Sequence, residues 1–332
     1  MIGGGGSTKP LLPPPIAAPF LPAKPTYAFG MAKSILTTSI YPSYDDLPED
    51  FYHFSKKYLS QVKKTIGDWI VYYEPSRTGK QPVRRVGRKA YFAIAQVVRI
   101  RKDKKNKDHY YADVSGYMEF PRSVPFREDD HFYESALRNP HGQTATGVFQ
   151  NAVRTIPDEE YNLILQAGYA SILTEQSLVT TEPNQPGLME EQQILQRPII
   201  EQVTKRPFHD VVFIHNIRKA YDSTCAITGL KLINGGGRCE IEAAHIRPVG
   251  NGHAGPDSIR NGLALSRTFH WMFDRGLISL TNDHKILTAE NFIPNQVQGM
   301  LPLYQKIQIP NNPALQPHPH FLKYHRDTIF KG

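Results

Sequence analysis

The sequence predicts an α+β protein, with a strand-rich N-terminal domain followed by a smaller mixed domain. A chain of 332 residues exceeds one domain of ordinary size. Segments rich in β-branched and aromatic residues recur between residues 69 and 120, and a helix, strand, long loop, helix and strand follow residue 206. Residues 170–205 between these parts are polar and lack periodicity, which favours a linker.

The first residues, 1–34, are predicted to form a disordered Pro/Gly-rich extension. Seven prolines in the first thirty residues oppose a regular helix or strand, and no uninterrupted apolar core of a signal peptide is present. Met31 is an alternative start of the native chain. The two predicted domains therefore cover residues 35–169 and 206–332.

The elements are predicted in chain order from capping and periodicity. "DLPEDFYHFSKKYLSQV" is typical of a short amphipathic helix, because a capping Asp precedes Pro and acidic residues. "GDWIVYYEP", "KAYFAIAQVVRI" and "HYYADVSGYMEF" are typical of strands, with "RKDKKNKD" as a charged hairpin tip. "TATGVFQNAVRTI" and "PDEEYNLILQAGY" indicate helices, and "HDVVFIHNIRKAY" a further helix with Phe213, Ile217 and Ala220 on one face.

Charge and cysteine content bound the class of protein. The net charge of +8 favours an anionic partner, nucleic acid first. Two cysteines are too few for a disulfide framework, which indicates a reducing, cytoplasmic setting and ordinary thiols. No apolar run reaches the roughly 18 to 20 residues that span a bilayer, so no membrane partner is expected.

One motif carries chemistry. In "CEIEAAHIRPVGNGH", His245 follows an apolar strand-like run, and taken alone it is typical of a buried core histidine. Asn261 lies sixteen residues further on, His270 nine after that and Asp274 four after that. If this last segment is helical, His270 and Asp274 lie one turn apart on one face. An imidazole and a carboxylate so placed can hold one divalent cation.

The same residues, embedded in "AAHIRPV…NGLALSRTFHWMFDRGLISL", resemble the HNH endonucleases, the ββα-metal finger superfamily, in a subfamily of bacterial restriction-type nucleases. The resemblance covers roughly residues 206–287. It implies that His245 is the general base that deprotonates the attacking water and that Asn261 hydrogen-bonds backbone across the loop. It also implies that His270 and Asp274 hold a single metal, which stabilises charge on the phosphate and the 3′ leaving oxygen.

The chain departs from that family pattern just before the general base. Many members carry a further ligand there, and this chain has Ala244. Glu242 lies two residues earlier on the same predicted strand face and is a candidate replacement ligand. Four arginines crowd the motif as candidate phosphate contacts, with solvated surface charge as the alternative: Arg247, Arg260, Arg267 and Arg275.

The N-terminal domain resembles the PUA-like superfamily in the order and the sequences of its strands. That resemblance implies a reader of nucleic acid, in a group that includes proteins flipping a modified base into an aromatic pocket. Trp69, Tyr72 and Tyr73 are the candidate base contacts. The alternative is that such aromatics fill the core of a small barrel.

These patterns together predict a metal-dependent DNA endonuclease of restriction type, whose N-terminal domain chooses the target. The metal expected first is Mg²⁺, with Mn²⁺, Ni²⁺ and Zn²⁺ as alternatives. One active site cuts one strand, so a double-strand break requires a homodimer or two independent nicks. A nucleic-acid reader that has lost cleavage, because Ala244 replaces a ligand, and an RNA-directed nuclease stay open as alternatives.

Overall fold

The computed structural model describes residues 33–38, 46–78, 85–179, 199–301 and 306–332. Nearly all of the predicted extension at 1–34, and residues 180–198 of the predicted linker, lie outside the described residues. The described part of that linker is helical: α3 spans Ala170–Val179 and α4 spans Ile199–Val203.

A six-stranded sheet dominates the N-terminal half. Its strands run in the order β10-β1-β3-β6-β7-β2, with β1 parallel to β3 and the other neighbours antiparallel. The bounds are β1 Ser34–Thr37, β2 Phe51–Ser55, β3 Trp69–Glu74, β6 Ala90–Lys102, β7 His109–Pro125 and β10 Val153–Thr155. Four two-residue strands form separate pairs: β4 Arg77–Thr78, β5 Arg85–Val86, β8 Arg127–Glu128 and β9 His131–Phe132.

Both faces of this sheet are covered. One face packs Val71, Tyr73 and Tyr91 with residues of α2 (Asp158–Gly168), including Ile164 and Leu165. The other face packs a second apolar cluster: Leu36, Tyr52, Phe54, Tyr58, Ile70, Tyr72, Phe92 and Tyr117. A strand covered on both sides buries both of its side-chain faces, so β3 is apolar almost throughout.

Two predicted helices are wrong. Phe51–Ser55 forms β2 and only Leu59–Lys63 (α1) is α-helical, because the aromatic residues of β2 pair with β7 over long range. The segment predicted as a helix around residue 150 forms a 3-10 turn at Thr146–Gln150, followed by β10. The predicted helix beginning after Pro157 is confirmed as α2, with three acidic residues in its first turn.

Helix α5 (Arg206–Ala220) contributes side chains to two hydrophobic clusters. Phe208 and Val212 belong to the cluster of the sheet, whereas Phe213 and Ile217 belong to the cluster of the C-terminal part. The described residues from 33 onward accordingly pack as one unit. The division into domains at 35–169 and 206–332 stays a prediction.

The C-terminal part contains a two-stranded sheet followed by a helix. β11 (Glu242–His245) pairs antiparallel with β12 (Gly262–Leu265), and α6 (Arg267–Asp274) follows directly. A Cβ at Gly262 would collide with Phe213 and Ile217, so glycine lets α5 approach the hairpin closely. The remaining elements are β13 Ile278–Leu280, β14 Ile286–Thr288, α7 Asn295–Gln298 and α8 Pro319–Thr328.

The mixed architecture, strand-rich first and ββα later, confirms the coarse fold prediction. Within the part of the chain that the structure describes, no helix is both long and apolar enough to cross a bilayer.

Candidate active site

His245 ends β11 with its imidazole held on two sides. Nε2 lies 3.0 Å from Asp257 Oδ1, and the ring stacks on Phe213 with centroids 3.8 Å apart and planes inclined by 11°. The side chain is 18% exposed. Because a carboxylate only accepts hydrogen bonds, Nε2 carries a hydrogen, and whenever the ring is neutral its lone pair is on Nδ1. The ring is therefore set in the tautomer that can accept a proton at Nδ1.

Asp257, which was not a predicted site residue, organises this corner. Its side chain is 3% exposed and also accepts from Arg206 Nη1 and Nη2, at 2.8 and 3.0 Å, and from His209 Nδ1 at 2.9 Å. Burial opposes the charge, but the hydrogen bonds from His209 and His245 and the charge of Arg206 hold the pKa of Asp257 well below its usual value. Asp257 is thus a buried carboxylate ion that orients His245.

Asn261 is fully buried and ties the two ends of the intervening loop together. Its Oδ1 accepts from the Arg247 amide at 2.8 Å, and its Nδ2 donates to the carbonyls of Arg247 at 3.0 Å and Pro256 at 2.9 Å. Its own carbonyl accepts from the Ile246 amide at 2.8 Å. These bonds fix the backbone immediately after His245.

His270, Glu242 and Asp274 form a second cluster. Glu242 Oε2 lies 2.8 Å from His270 Nδ1, and Asp274 Oδ2 lies 3.3 Å from His270 Nε2. The hydrogen bond from His270, joined by Arg267, lowers the pKa of Glu242. Burial raises the pKa of Asp274, against the opposing charges of His270, Arg275 and His245. Glu242 begins β11 and His245 ends it, so this strand joins the two clusters.

The donor types in this cluster fit a divalent cation. Two carboxylates and one imidazole suit Mg²⁺, Mn²⁺ or a borderline transition metal. Both ring nitrogens of His270 contact carboxylates in this arrangement. Among the residues that the structure describes, no three His, Cys, Asp or Glu side chains surround a common point.

Ala244 lies in the apolar core of the C-terminal part and is fully buried. A longer side chain at position 244 would enter that core, on the opposite side of the strand from His245. Glu242, at the first residue of β11, instead reaches the imidazole of His270. The alanine therefore removes no group from this site as it is arranged here.

The four arginines divide into one internal pair, Arg247 and Arg260, and one outward pair, Arg267 and Arg275. Arg260 is buried and pairs with Glu49 at 3.1 Å, and Arg247 pairs with Asp50 at 3.2 Å. Both bonds join the C-terminal part to the turn before β2. Arg267 is 83% exposed and Arg275 lies 4.7 Å from the Trp271 ring. The outward pair is accessible to a phosphate, whereas Arg260 already neutralises a buried carboxylate.

The three predicted base contacts lie in and beside the sheet. Tyr72 and Tyr73 are buried in opposite faces, so neither ring is open to a base in this structure. Trp69 is partly exposed, packs over Gly116 and lies 6.1 Å from the His209 ring in an edge-on arrangement. Trp69 therefore neighbours His209, one of the residues that contact Asp257.

Comparison with known proteins yields one family match. Residues 225–281 match the model of the HNH endonuclease family. No curated protein matches the chain. Similar solved structures include a modification-dependent restriction endonuclease, TagI, at 14% identity, covering 89% of this chain and 81% of that chain with a TM-score of 0.29. Another is the N-terminal domain of Staphylothermus marinus McrB, at 9% identity, covering 40% of this chain and 92% of that chain with a TM-score of 0.24. The family match at residues 225–281 spans β11, β12 and α6, and it includes His245, Asn261, His270 and Asp274.

Proposed function

We propose that the protein is a metal-dependent DNA endonuclease of restriction type, and that the HNH domain hydrolyses one phosphodiester bond per active site. The observation that carries this proposal is the pairing of His245 with Asp257 beside the His270 cluster. A partly exposed histidine held by a buried aspartate, on the same strand as a carboxylate of the second cluster, is suited to proton transfer at a phosphate.

The chemistry follows from the contacts of His245. Nδ1 takes a proton from a water molecule as the water oxygen attacks phosphorus, and Asp257 stabilises the imidazolium that forms. The bond from phosphorus to the 3′ oxygen breaks, which leaves a 5′-phosphate and, after protonation, a 3′-hydroxyl. Asn261 keeps the loop and the base in register.

His270 and Asp274, with Glu242 beside them, would hold the divalent metal. Bound there, the metal would supply charge stabilisation to the phosphate and the leaving oxygen. Mg²⁺ is proposed first, since carboxylate oxygens predominate, with Mn²⁺, Ni²⁺ and Zn²⁺ as alternatives.

The N-terminal sheet is proposed to choose the target, with a modified base among the candidates, because its strands resemble the PUA-like superfamily. Tyr72 and Tyr73 are buried, so among the three candidate aromatics Trp69 is left for a direct base contact. The free thiols of Cys225 and Cys239 fit the proposed cytoplasmic setting.

The test is digestion of matched plasmids with and without modified cytosine, in Mg²⁺, Mn²⁺ or Ni²⁺ and in EDTA. The wild-type chain is expected to cut in metal only. His245→Ala should abolish cutting while thermal unfolding and DNA binding stay near wild type, whereas His253→Ala, outside the proposed machinery, should cut normally. Full activity in both His270→Ala and Asp274→Ala would contradict the metal assignment.

The same assay separates the alternatives. Tight DNA binding without cutting in any metal would identify a reader instead of an enzyme, and preferential cleavage of RNA in a parallel reaction would displace the DNA assignment. Linear product appearing without a nicked intermediate would indicate a homodimer with two coordinated sites.

A further inference from the structure

Helix α6 presents a regular outer face beside the proposed metal ligands. Its inner face is apolar and buried: Phe269, Met272 and Phe273. At about 100° per residue, Arg267, Trp271 and Arg275 follow one another along the exposed side, directly next to His270 and Asp274. We call Arg267, Trp271 and Arg275 the cationic–aromatic stripe.

Trp271 is the unusual member of this stripe. It is 52% exposed, although tryptophan is usually well covered in a folded protein. The guanidinium of Arg275 lies 4.7 Å from the centre of the ring, a cation–π contact that covers one face of the indole. The other side of the helix face carries Arg267, whose guanidinium pairs with Glu242 at 3.0 Å. An open aromatic surface is thus flanked by two positive charges.

This combination fits one kind of occupant. Single-stranded and distorted nucleic acids bind to proteins through arginines that follow the phosphates and through aromatic rings on which bases stack. A second copy of this strongly basic chain would instead bring further positive charge against the two arginines.

We propose that the cationic–aromatic stripe is the surface on which the substrate strand lies next to the scissile phosphate, and that Trp271 stacks on a base or sugar of that strand. This inference rests on the proposed function and deepens it. A phosphate bound by the metal that His270 and Asp274 would hold leaves the adjoining nucleotides along the neighbouring side of α6. Trp271 then holds the strand in place, while the arginines contact its phosphates.

The chain offers a direct optical test, because it contains two tryptophans, Trp69 and Trp271. In Trp69→Phe the fluorescence comes from Trp271 alone, and in Trp271→Phe from Trp69 alone. Each full-length variant is titrated in EDTA with a short DNA duplex and with the corresponding single strand, so that no cutting occurs. The Trp271 signal should be quenched on binding, whereas the Trp69 signal reports separately on the base contact proposed for that residue.

Binding strength gives the second readout. Trp271→Ala should weaken DNA binding by about five- to 100-fold, which corresponds to the loss of one stacked base, and Trp271→Phe should lose less. Phe292→Ala removes an equally exposed aromatic that lies outside α6 and should bind DNA as wild type does. In cleavage assays, Trp271→Ala should raise the DNA concentration at half-maximal rate more than it lowers kcat.

Each outcome bears on a definite statement. Unchanged Trp271 fluorescence together with wild-type affinity in Trp271→Ala would overturn the inference, and cleavage by the wild type would leave the proposed function intact. A shift in oligomeric state on Trp271→Ala, with DNA affinity unchanged, would overturn it in favour of a second copy on this face. Quenching of Trp271 by DNA in a chain that never cuts would support the surface and contradict the enzyme.

Discussion

Asp257→Asn is the sharpest perturbation that the active-site geometry offers. It keeps the shape of the side chain and removes its charge. If Asp257 orients His245 as proposed, the substitution should lower kcat and leave DNA affinity nearly unchanged, because the residue touches the general base and no proposed DNA contact.

The magnitude follows from the hydrogen bonds of the two oxygens. Oδ1 accepts from His245 and from one nitrogen of Arg206, and Oδ2 accepts from the other nitrogen of Arg206 and from His209. Asparagine has one accepting oxygen, so either orientation of the amide sets its NH₂ group against two donors. Loss of a hydrogen bond to a charged group costs about 1.5–3 kcal/mol, which converts to a fall in kcat of about 10- to 150-fold.

The assay combines single-turnover cleavage with the ring ¹⁵N signals of His245. The nitrogen signals report which ring nitrogen carries hydrogen, and in the wild type they should show it on Nε2. Asp257→Asn should mix the two tautomers, a change that general loosening of the fold does not produce. Thermal unfolding measures the accompanying loss of stability.

Arg206→Gln is the matched control, because it removes two donors from Asp257 and leaves the contact with His245. It should destabilise the fold while kcat stays within about threefold of wild type. Wild-type kcat and tautomer in Asp257→Asn would contradict the proposed role of Asp257 in orienting His245. An equal fall of kcat in Arg206→Gln and in Asp257→Asn would contradict it as well.

Three further predictions concern the surroundings of the site. Asn261→Ala should destabilise the fold by about 3 kcal/mol, measured by denaturant unfolding, because it leaves buried backbone groups unpaired. Burial lowers the pKa of His325 to about 4. This folded-state pKa lies below the unfolded value of about 6.5, so the neutral His325 contributes its full stability above pH 6.5 and loses it as the pH falls toward 4. The free energy of unfolding of the wild type should therefore fall by about 3 kcal/mol across that window. The same curve should be flatter in His325→Gln. Burial, joined by the charge of Glu49, raises the pKa of Glu119. Glu119→Gln should therefore lower the free energy of unfolding by less than about 1 kcal/mol. Glu49→Gln breaks the buried pair with Arg260 and should lower it by about 3–5 kcal/mol. Equal losses of stability in the two variants would contradict this prediction.

The parts of the site that sequence could predict are those fixed by local spacing. His270 and Asp274 lie four residues apart on one helix, and their contact at 3.3 Å follows from helical periodicity. His245 and Asn261 flank a hairpin whose register, His245 opposite Gly262, brings the two into adjacent positions. The order of these four residues predicts a single site, and that grouping stays a prediction.

Asp257 could not be found in that way, because its role depends on partners far along the chain. Arg206 and His209 contact it across 51 and 48 residues, and they come from a helix whose sequence shows only an apolar face. The one local signal is an acidic residue in "GPDSIRN", four positions before Asn261, and loops of this kind commonly carry solvated acids.

Long-range pairing also decided the elements that were predicted wrongly. The residues around Phe51–Ser55 have the capping and charge pattern of a helix. The segment nevertheless forms a strand of the sheet, because Phe51 pairs with Asp113 and Ser55 pairs with His109. Strand alternation predicts that about half of these aromatics fill the core. Tyr72 and Tyr73 are both buried because an apolar cluster covers each face of the sheet. The sequence of one strand does not show that its second face is also covered.

The loop between β11 and β12 is where the sheet and the HNH domain meet, and it also carries the groups that control His245. Ser258 Oγ lies 3.2 Å from Glu119 Oε1, and the Asp257 amide donates to the Tyr117 carbonyl at 3.2 Å, so β7 holds this loop through both a side chain and its backbone. A shift of the loop relative to β7 would therefore displace the carboxylate that contacts His245. If the sheet chooses the target as proposed, a change at Tyr117 would reach His245 through two successive contacts, from Tyr117 to Asp257 and from Asp257 to His245. Target choice and bond cleavage would then be linked without a large rearrangement of the chain.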